Sequence, residues 1–352
     1  MNMEYAAQLR MIGESAAHFA AAQAGPAVAR AIHEGGASWD MKDWKGIADL
    51  GWFGIAVPEA RDGLGWFAPS AVVVAEEAGR ALMMPPVAAG IVAAGILAQG
   101  GDAAHAVLED ALRGDALVVP APVTGDGDGA HVATLVPDAA TATHWLLATG
   151  VGSSFEARLV RKDTVGTRYE TRVAVDGSTL ADVRVTASAW RDAPVVLDGE
   201  PGMLAWRRGR HLLWLLDAAY LSGLAQEALK LALDYMRLRR QFRVPIGSFQ
   251  ALQHRAAMCH VDSKASRALV HEAARAWGGR REDWAAAAAQ HRAAACALRV
   301  TKEVVQFHGA IGYADEHDAG LYLRRAMTVG ARHGRDVARV LVDVRRPHGA
   351  CG

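Results

Sequence analysis

The sequence predicts a mostly helical α+β chain: an N-terminal helical domain, a small antiparallel β domain in the middle, and a C-terminal four-helix bundle. Three observations carry that prediction. Apolar residues recur at three- and four-residue steps near both ends of the 352-residue chain. Short alternating or β-branched runs, separated by Gly, Asp and Pro, occupy the stretch between. The long helical runs after that stretch have only short breaks, as in an antiparallel bundle. The boundaries fall at residues 1–115, 116–202 and 203–352.

Taken in order, residues 1–115 are Ala-rich, and Trp44, Ile47 and Leu50 close one amphipathic turn at Gly51. The run from Gly54 to Glu59 breaks that pattern, and Arg61-Asp62-Gly63-Leu64-Gly65 is a glycine-rich loop. Helix is expected again from Ser70 through Arg80 and from Val87 to Gln99. Strands are expected at Ala116–Val119, His131–Val136, His144–Ala148, Ala157–Arg161, Arg168–Val175 and Val183–Ala187. From Gly202 the helical period returns. Leu224, Ala228, Leu231, Tyr235 and Leu238 mark one helix face. Ala256, Cys259, Ser263, Ser266, Val270, Ala273 and Trp277 mark a second, and a third helix spans Asp283 to Phe307.

A 51% hydrophobic chain of this length buries a large core without disulfides. Its zero formal charge excludes the global basicity of a general nucleic-acid binder. The charge is polarised, however. Residues 1–202 hold 14 Lys/Arg against 25 Asp/Glu, and residues 203–352 hold 24 against 13. An acidic front and a basic back suit an anionic ligand, or the acidic half of another subunit, at the C-terminal half. Cys259, Cys296 and Cys351 show neither metal spacing nor Cys-x-x-Cys; the first two read as buried thiols of a reducing, cytoplasmic setting. The N-terminus lacks a signal-peptide pattern, and the apolar stretch Val87–Ala98 is too short to span a bilayer, so no membrane role is expected.

Several motifs fail on inspection. Gly125-Asp126-Gly127-Asp128-Gly129-Ala130 has dinucleotide-fingerprint spacing, but a strand follows it where a helix is needed, and its two aspartates repel phosphate. It is expected to be a solvent loop. His271-Glu272 begins a metalloprotease pattern that Arg275 ends. Neither a nucleophile elbow nor a Walker loop is present, and no metal is expected. Arg237, Arg239, Arg240 and Arg243 form a basic run with no stacking aromatic beyond Phe242, which argues against nucleic acid.

Two segments are more specific. Arg239-Arg240-Gln241-Phe242-Arg243-Val244-Pro245-Ile246-Gly247-Ser248-Phe249-Gln250 follows the first long helix, and Gln306-Phe307-His308-Gly309-Ala310-Ile311-Gly312-Tyr313 ends the third. With Leu50-Gly51-Trp52-Phe53-Gly54-Ile55-Ala56-Val57-Pro58-Glu59 and Gly63-Leu64-Gly65 near the start, they resemble the acyl-CoA dehydrogenase family in the family's own order. The family patterns read Arg-x-Gln-Phe-Gly-x-Pro-Ile-x-x-Phe-Gln and Gln-x-x-Gly-Gly-x-Gly-Tyr. The resemblance implies an FAD enzyme that removes an α-proton and a β-hydride from an acyl-CoA thioester. It implies a dimer or tetramer, homo- or hetero-oligomeric, with electron-transfer flavoprotein as acceptor. Arg239 and Gln241 would reach across a subunit interface to the FAD diphosphate, with Phe242 packing nearby, and Gln306, Gly309 and Gly312 would approach the same dinucleotide.

The chain also departs from the family. Val119-Pro120-Ala121-Pro122-Val123-Thr124-Gly125-Asp126 stands where the family has Thr-Glu-Pro…Gly-Ser-Asp, and the Trp-Ile/Val-Thr flavin segment has no counterpart. The family's catalytic Glu-Gly-Thr falls on His333-Gly334-Arg335, and an alternative base position falls on Leu213. The candidate bases left are Asp217, one helical turn beyond Leu213, and His333, the latter expected at a surface or an interface. Ala310 replaces one glycine. Together with Glu316-His317-Asp318 and Leu321-Tyr322-Leu323-Arg324-Arg325, these departures resemble a bacterial subgroup, some of whose members work as mixed α₂β₂ assemblies on bulky, steroid-like thioesters, in the kind of subunit that lacks the base. A self-sufficient homo-oligomer and a catalytically silent scaffold are the alternatives.

Overall fold

The computed structural model describes residues 3–36, 39–65 and 67–343. In chain order the elements are α1 (Met3–Gln23), α2 (Pro26–His33), α3 (Met41–Ala48), α4 (Phe67–Arg80), α5 (Val87–Leu97) and α6 (Asp102–Leu112). The strands β1 (Val118–Pro122), β2 (Thr124–Gly125), β3 (His131–Pro137), β4 (His144–Thr149), β5 (Glu156–Arg161), β6 (Thr167–Val173) and β7 (Thr179–Val185) follow. Then come α7 (Ala187–Asp192), β8 (Val195–Asp198), α8 (Gly199–Leu238), β9 (Arg240–Gln241) and β10 (Val244–Pro245). The chain closes with α9 (Gln250–Arg275), α10 (Glu282–His308), α11 (Asp318–Ala331) and α12 (Gly334–Asp343). The mostly helical α+β plan is the one expected.

The chain forms two compact units, both discontinuous in sequence. One comprises residues 32–67 and 84–213. Its helical part closes around Trp44 and Phe53, whose rings stack 4.2 Å apart. Gly90 on α5 makes room for them, since a Cβ there would lie 2.5 Å from the Trp44 ring. Trp44 donates from Nε1 to the Ala116 carbonyl at 3.2 Å, satisfying the one polar atom it buries. Two four-stranded sheets follow, ordered β1-β4-β5-β8 and β2-β3-β7-β6. The expected antiparallel sheet needs one correction: β1 runs parallel to β4, with Val118 opposite His144 and Pro122 opposite Ala148. That pairing leaves Pro120 and Pro122 on a terminal strand, where the hydrogen bonds they lack matter least. Residues 126–129 form the solvent loop expected, between Gly125 in β2 and a buried Ala130, and Arg184 bonds both Asp126 and Asp128. Strand β8 and helix α7 went unpredicted because each is short and carries no clear period.

The other unit comprises residues 1–31, 68–83 and 214–352. Here α10 packs against α9, α11 and α12. The buried residues of α9 include Ala256, Cys259, Ser263, Ser266, Val270 and Ala273, the face that the sequence period marked. Cys259 and Cys296 are free and buried, as expected; Cys351 lies outside the described residues. Helices α4 and α8 cross at backbone contact through two glycines. A Cβ on Gly79 would stand 1.9 Å from the Tyr220 carbonyl oxygen, and one on Gly223 would stand 1.9 Å from that of Glu76.

That crossing holds a buried acid. Glu76 accepts from Arg80 Nη2 at 2.8 Å, Arg267 Nε at 2.5 Å, His271 Nε2 at 2.8 Å and Gln226 Nε2 at 3.1 Å. Burial pushes its carboxyl up, but the hydrogen bonds from His271 and Arg267 and the charges of Arg267 and Arg80 outweigh burial and pull it down to about 2. His271 thus belongs to an ion-pair network tying α9 to α4, and among the described residues no metal-binding cluster occurs. Nor is any described helix long and apolar enough to cross a membrane.

Candidate functional site

Helix α8 ends in a hairpin. Strands β9 and β10 pair antiparallel, Gln241 opposite Val244 and Arg240 opposite Pro245, which leaves Phe242 and Arg243 as a two-residue turn. Both sit in left-handed backbone, at φ 50° and 68°. Such a turn favours Asn-Gly, and for other residues the left-handed conformation costs about 1–2 kcal/mol each. The hairpin is anchored at its base. Arg239 N–H donates to the Tyr235 carbonyl at 2.8 Å, and Ile246 N–H donates to the Arg239 carbonyl at 2.8 Å. Ser248 Oγ donates to the Pro245 carbonyl at 2.7 Å, and Gln253 Nε2 to the Gly247 carbonyl at 2.9 Å, which fixes the turn into α9. Beyond that base the side chains stand outward. Arg239, Gln241 and Phe242 are exposed, Phe242 to 87%. The Phe242 ring meets Phe249 edge-on at 6.1 Å.

The second motif lies at the same end of the bundle. Helix α10 stops at Gly309, whose φ of 63° and ψ of −138° exclude an ordinary side chain. The space beyond Gly309 is open: no atom lies within 4 Å of where a Cβ would be. Gly312 is needed for packing, because a Cβ there would come 2.5 Å from the Val305 carbonyl oxygen. Ala310 is exposed and outside the left-handed region, so its methyl group adds no strain. Gln306 is exposed too. A row of tilted ring contacts links this loop to α8: Tyr235 lies 4.5 Å from His308, and His308 4.4 Å from His317. His308 donates from Nδ1 to the Val304 carbonyl at 2.7 Å, and burial holds its pKa below the usual histidine value. Because Tyr235 is one turn before Arg239, the Arg/Gln hairpin and the Gln/Gly loop stand side by side.

These residues fit a dinucleotide diphosphate. The Arg239 guanidinium and the Gln241 and Gln306 carboxamides form no side-chain hydrogen bond or ion pair among the described residues, so their donors are unspent. Gly309 leaves its backbone approachable. The segment at β1 and β2 fits a flavin ring less well. Pro120 and Pro122 carry no N–H, and Thr124 offers the only hydroxyl between Val118 and Gly125.

The two candidate bases come together, 116 positions apart in sequence. His333, in the turn between α11 and α12, donates from Nε2 to Asp217 Oδ2 at 2.8 Å. Arg332 Nη1 lies 3.7 Å from Asp217 Oδ1. The carboxylate is buried on α8. Burial pushes its pKa up, but Arg332, the hydrogen bond from His333 and the charge of Arg325 outweigh it and hold it below the usual range. Arg325 is itself buried, donating from Nε to the Tyr220 hydroxyl at 3.0 Å with its guanidinium 5.1 Å above the Tyr220 ring. Tyr220 in turn donates to the Met83 carbonyl at 2.9 Å. Within this chain His333 is mostly covered, with 14% of its side chain exposed, rather than open on the surface. Sequence spacing held no signal for this pairing, which depends on how α11 and α12 pack back onto α8.

Comparison with known proteins gives these segments their setting. The acyl-CoA dehydrogenase N-terminal domain matches residues 6–115, and the acyl-CoA dehydrogenase C-terminal domain matches residues 215–337. Acyl-CoA dehydrogenase IpdE2 from Mycolicibacterium smegmatis is 30% identical over 317 residues, covering 90% of this chain and 91% of that protein. Among solved structures, the Tcur3481-Tcur3483 steroid acyl-CoA dehydrogenase (G363A variant) superposes with a TM-score of 0.83 at 23% identity, covering 97% of this chain and 99% of that one. The ChsE4-ChsE5 complex from Mycobacterium tuberculosis gives 0.80 at 22% identity, covering 97% and 98%. At those identities the two structures establish the fold, while the domain matches and the mycobacterial relative establish descent. The chain belongs to the acyl-CoA dehydrogenase family, FAD-dependent oxidoreductases that act on acyl-CoA thioesters.

Proposed function

We propose that this chain works as a flavin-clamping subunit of an acyl-CoA dehydrogenase assembly, and that the base for α,β-desaturation comes from a neighbouring subunit. The carrying observation is the bond between His333 and Asp217. At the family's glutamate position stands a histidine whose Nε2 is committed to a buried carboxylate. That carboxylate is held ionised by Arg332 and Arg325 as well. A group that must take a proton from carbon needs a raised pKa and an open face toward substrate. Asp217 has neither, because its depressed pKa stabilises the charge it would have to give up.

The clamp supports the same reading. Arg239, Gln241 and Gln306 would hold the FAD diphosphate of an adjoining subunit by charge-assisted hydrogen bonds, with Gly309 admitting its close approach. Bound there, FAD supplies the acceptor for the hydride that leaves the β-carbon. The residues of this chain bind and orient the dinucleotide; Phe242 covers apolar surface beside it. The similarity to a steroid acyl-CoA dehydrogenase supports a bulky, sterol-derived acyl group, and the similarity to a ChsE4-ChsE5 complex supports a hetero-oligomer. The three sequence-defined domains, a cytoplasmic setting and electron-transfer flavoprotein as acceptor belong to this same proposal.

One observation favours a second reading. A carboxylate bonded to one imidazole nitrogen can orient the ring so that its other nitrogen serves as a base, and Asp217 meets His333 in that relation. A self-sufficient homo-oligomer would use it. The experiment is to purify the chain alone and together with a co-expressed family member that has an intact carboxylate, reading flavin absorbance and thioester oxidation. The subunit reading predicts a colourless, inactive chain alone and a yellow, active complex. Flavin and activity in the lone chain would overturn it in favour of the second reading. A complex that stays colourless would leave a silent scaffold.

A further inference from the structure

At the tip of the clamp hairpin, Arg243 occupies a position that the fold makes unfavourable for it. Its φ of 68° lies in left-handed backbone, directly after Phe242 at 50°. The family's pattern has glycine here, the residue that adopts this conformation without a steric clash. Among the described residues no side-chain contact of Arg243 offsets the strain. The Arg243 side chain is exposed and makes no hydrogen bond or ion pair among the described residues; only its carbonyl is contacted, by Arg240 Nη1 at 3.4 Å. A strained, solvent-facing arginine with unspent donors adds nothing to the stability of its own hairpin. Its positive charge joins those of Arg239 and Arg240 on six consecutive residues that contain no acid. Backbone strain kept without a local return points to a partner outside the chain.

Resting on the clamp reading above, we infer that Arg243 is an additional ligand of the same dinucleotide, placing a second guanidinium on its anionic diphosphate beside Arg239. The hairpin geometry supports this. Arg243 follows Phe242 in the two-residue turn, and Gln241, Phe242 and Arg243 are all exposed at that tip. Stability and cofactor affinity therefore trade against each other at this one position.

The test is Arg243→Gly, with Arg243→Lys beside it, in the assembled complex stripped of flavin and titrated with FAD. Glycine removes the strain, so misfolding does not cloud the result. The expected outcome is a Tm for the lone chain raised by about 1–3 °C, with FAD affinity in the complex weakened about tenfold. The lysine variant keeps the strain and part of the affinity. Wild-type FAD affinity in the glycine variant overturns the inference, whatever happens to Tm. Loss of subunit association with FAD affinity intact also overturns it, because Arg243 would then contact the partner protein. Arg239→Ala run in parallel separates the two claims. Weakened binding in Arg239→Ala alone sinks the role of Arg243 and leaves the clamp standing, whereas unchanged binding in both variants sinks the clamp itself.

Discussion

His333 and Asp217 meet across 2.8 Å, joining the turn between α11 and α12 to the middle of α8. Arg332 lies against the other carboxylate oxygen at 3.7 Å, so Asp217 meets two side chains of that turn. Removing the acid strands at least one buried cation. Asp217→Ala is therefore expected to cost about 3–5 kcal/mol of folding stability, read by urea denaturation. A loss below about 1 kcal/mol, the range of an exposed pair, would mean that the contact holds nothing together.

The same pair separates the two functional readings. In the assembled enzyme, the subunit reading predicts that His333→Gln leaves kcat within about threefold of wild type, because glutamine can still donate to Asp217 and that reading puts the base on a neighbouring subunit. A fall of about 100-fold or more, the usual worth of a general base, would assign the proton to this chain.

Acid stability should follow Glu76. Its carboxyl, ordinarily near 4.5, is held at about 2 in the folded chain. A depressed carboxylate contributes stability that is present above its unfolded pKa and lost as pH falls through the folded one. The contribution, about 3 kcal/mol, should therefore disappear between pH 4.5 and pH 2. Glu76→Gln should flatten that part of the pH–stability curve while lowering the plateau near neutrality. An unchanged acid slope in the variant would remove Glu76 from the account.

The α4–α8 crossing gives a prediction free of charge effects. With Glu76 carbonyl oxygen 1.9 Å from a Cβ at position 223, Gly223→Ala requires the helices to separate. The expected cost is about 3 kcal/mol or more. Thermal unfolding within a degree of wild type would contradict the packing described.

Much of this was legible in the sequence, for identifiable reasons. The α9 face was read from Ala256 to Ala273 because burial on one side of a helix imposes a fixed period. The loop at Asp126 was read because charge and the strand after it excluded a phosphate turn. The parallel pairing of β1 with β4 was not legible, since strand direction depends on connectivity that local alternation does not encode. Nor was the contact of Asp217 with His333. Each was singled out as a possible base, and only the folded chain brings them together. The clamp stood between these cases: its motif named Arg239 and Gln241, while the meeting of α8 with the end of α10 through Tyr235, His308 and His317 is seen only in the folded chain.

The most direct test of the central claim is an FAD titration of the flavin-stripped complex carrying Arg239→Ala. Losing one charge-assisted contact to a diphosphate should weaken binding by about 1.5–3 kcal/mol, that is, roughly 10- to 150-fold, with subunit assembly intact. Affinity equal to wild type in a fully assembled complex would contradict the account.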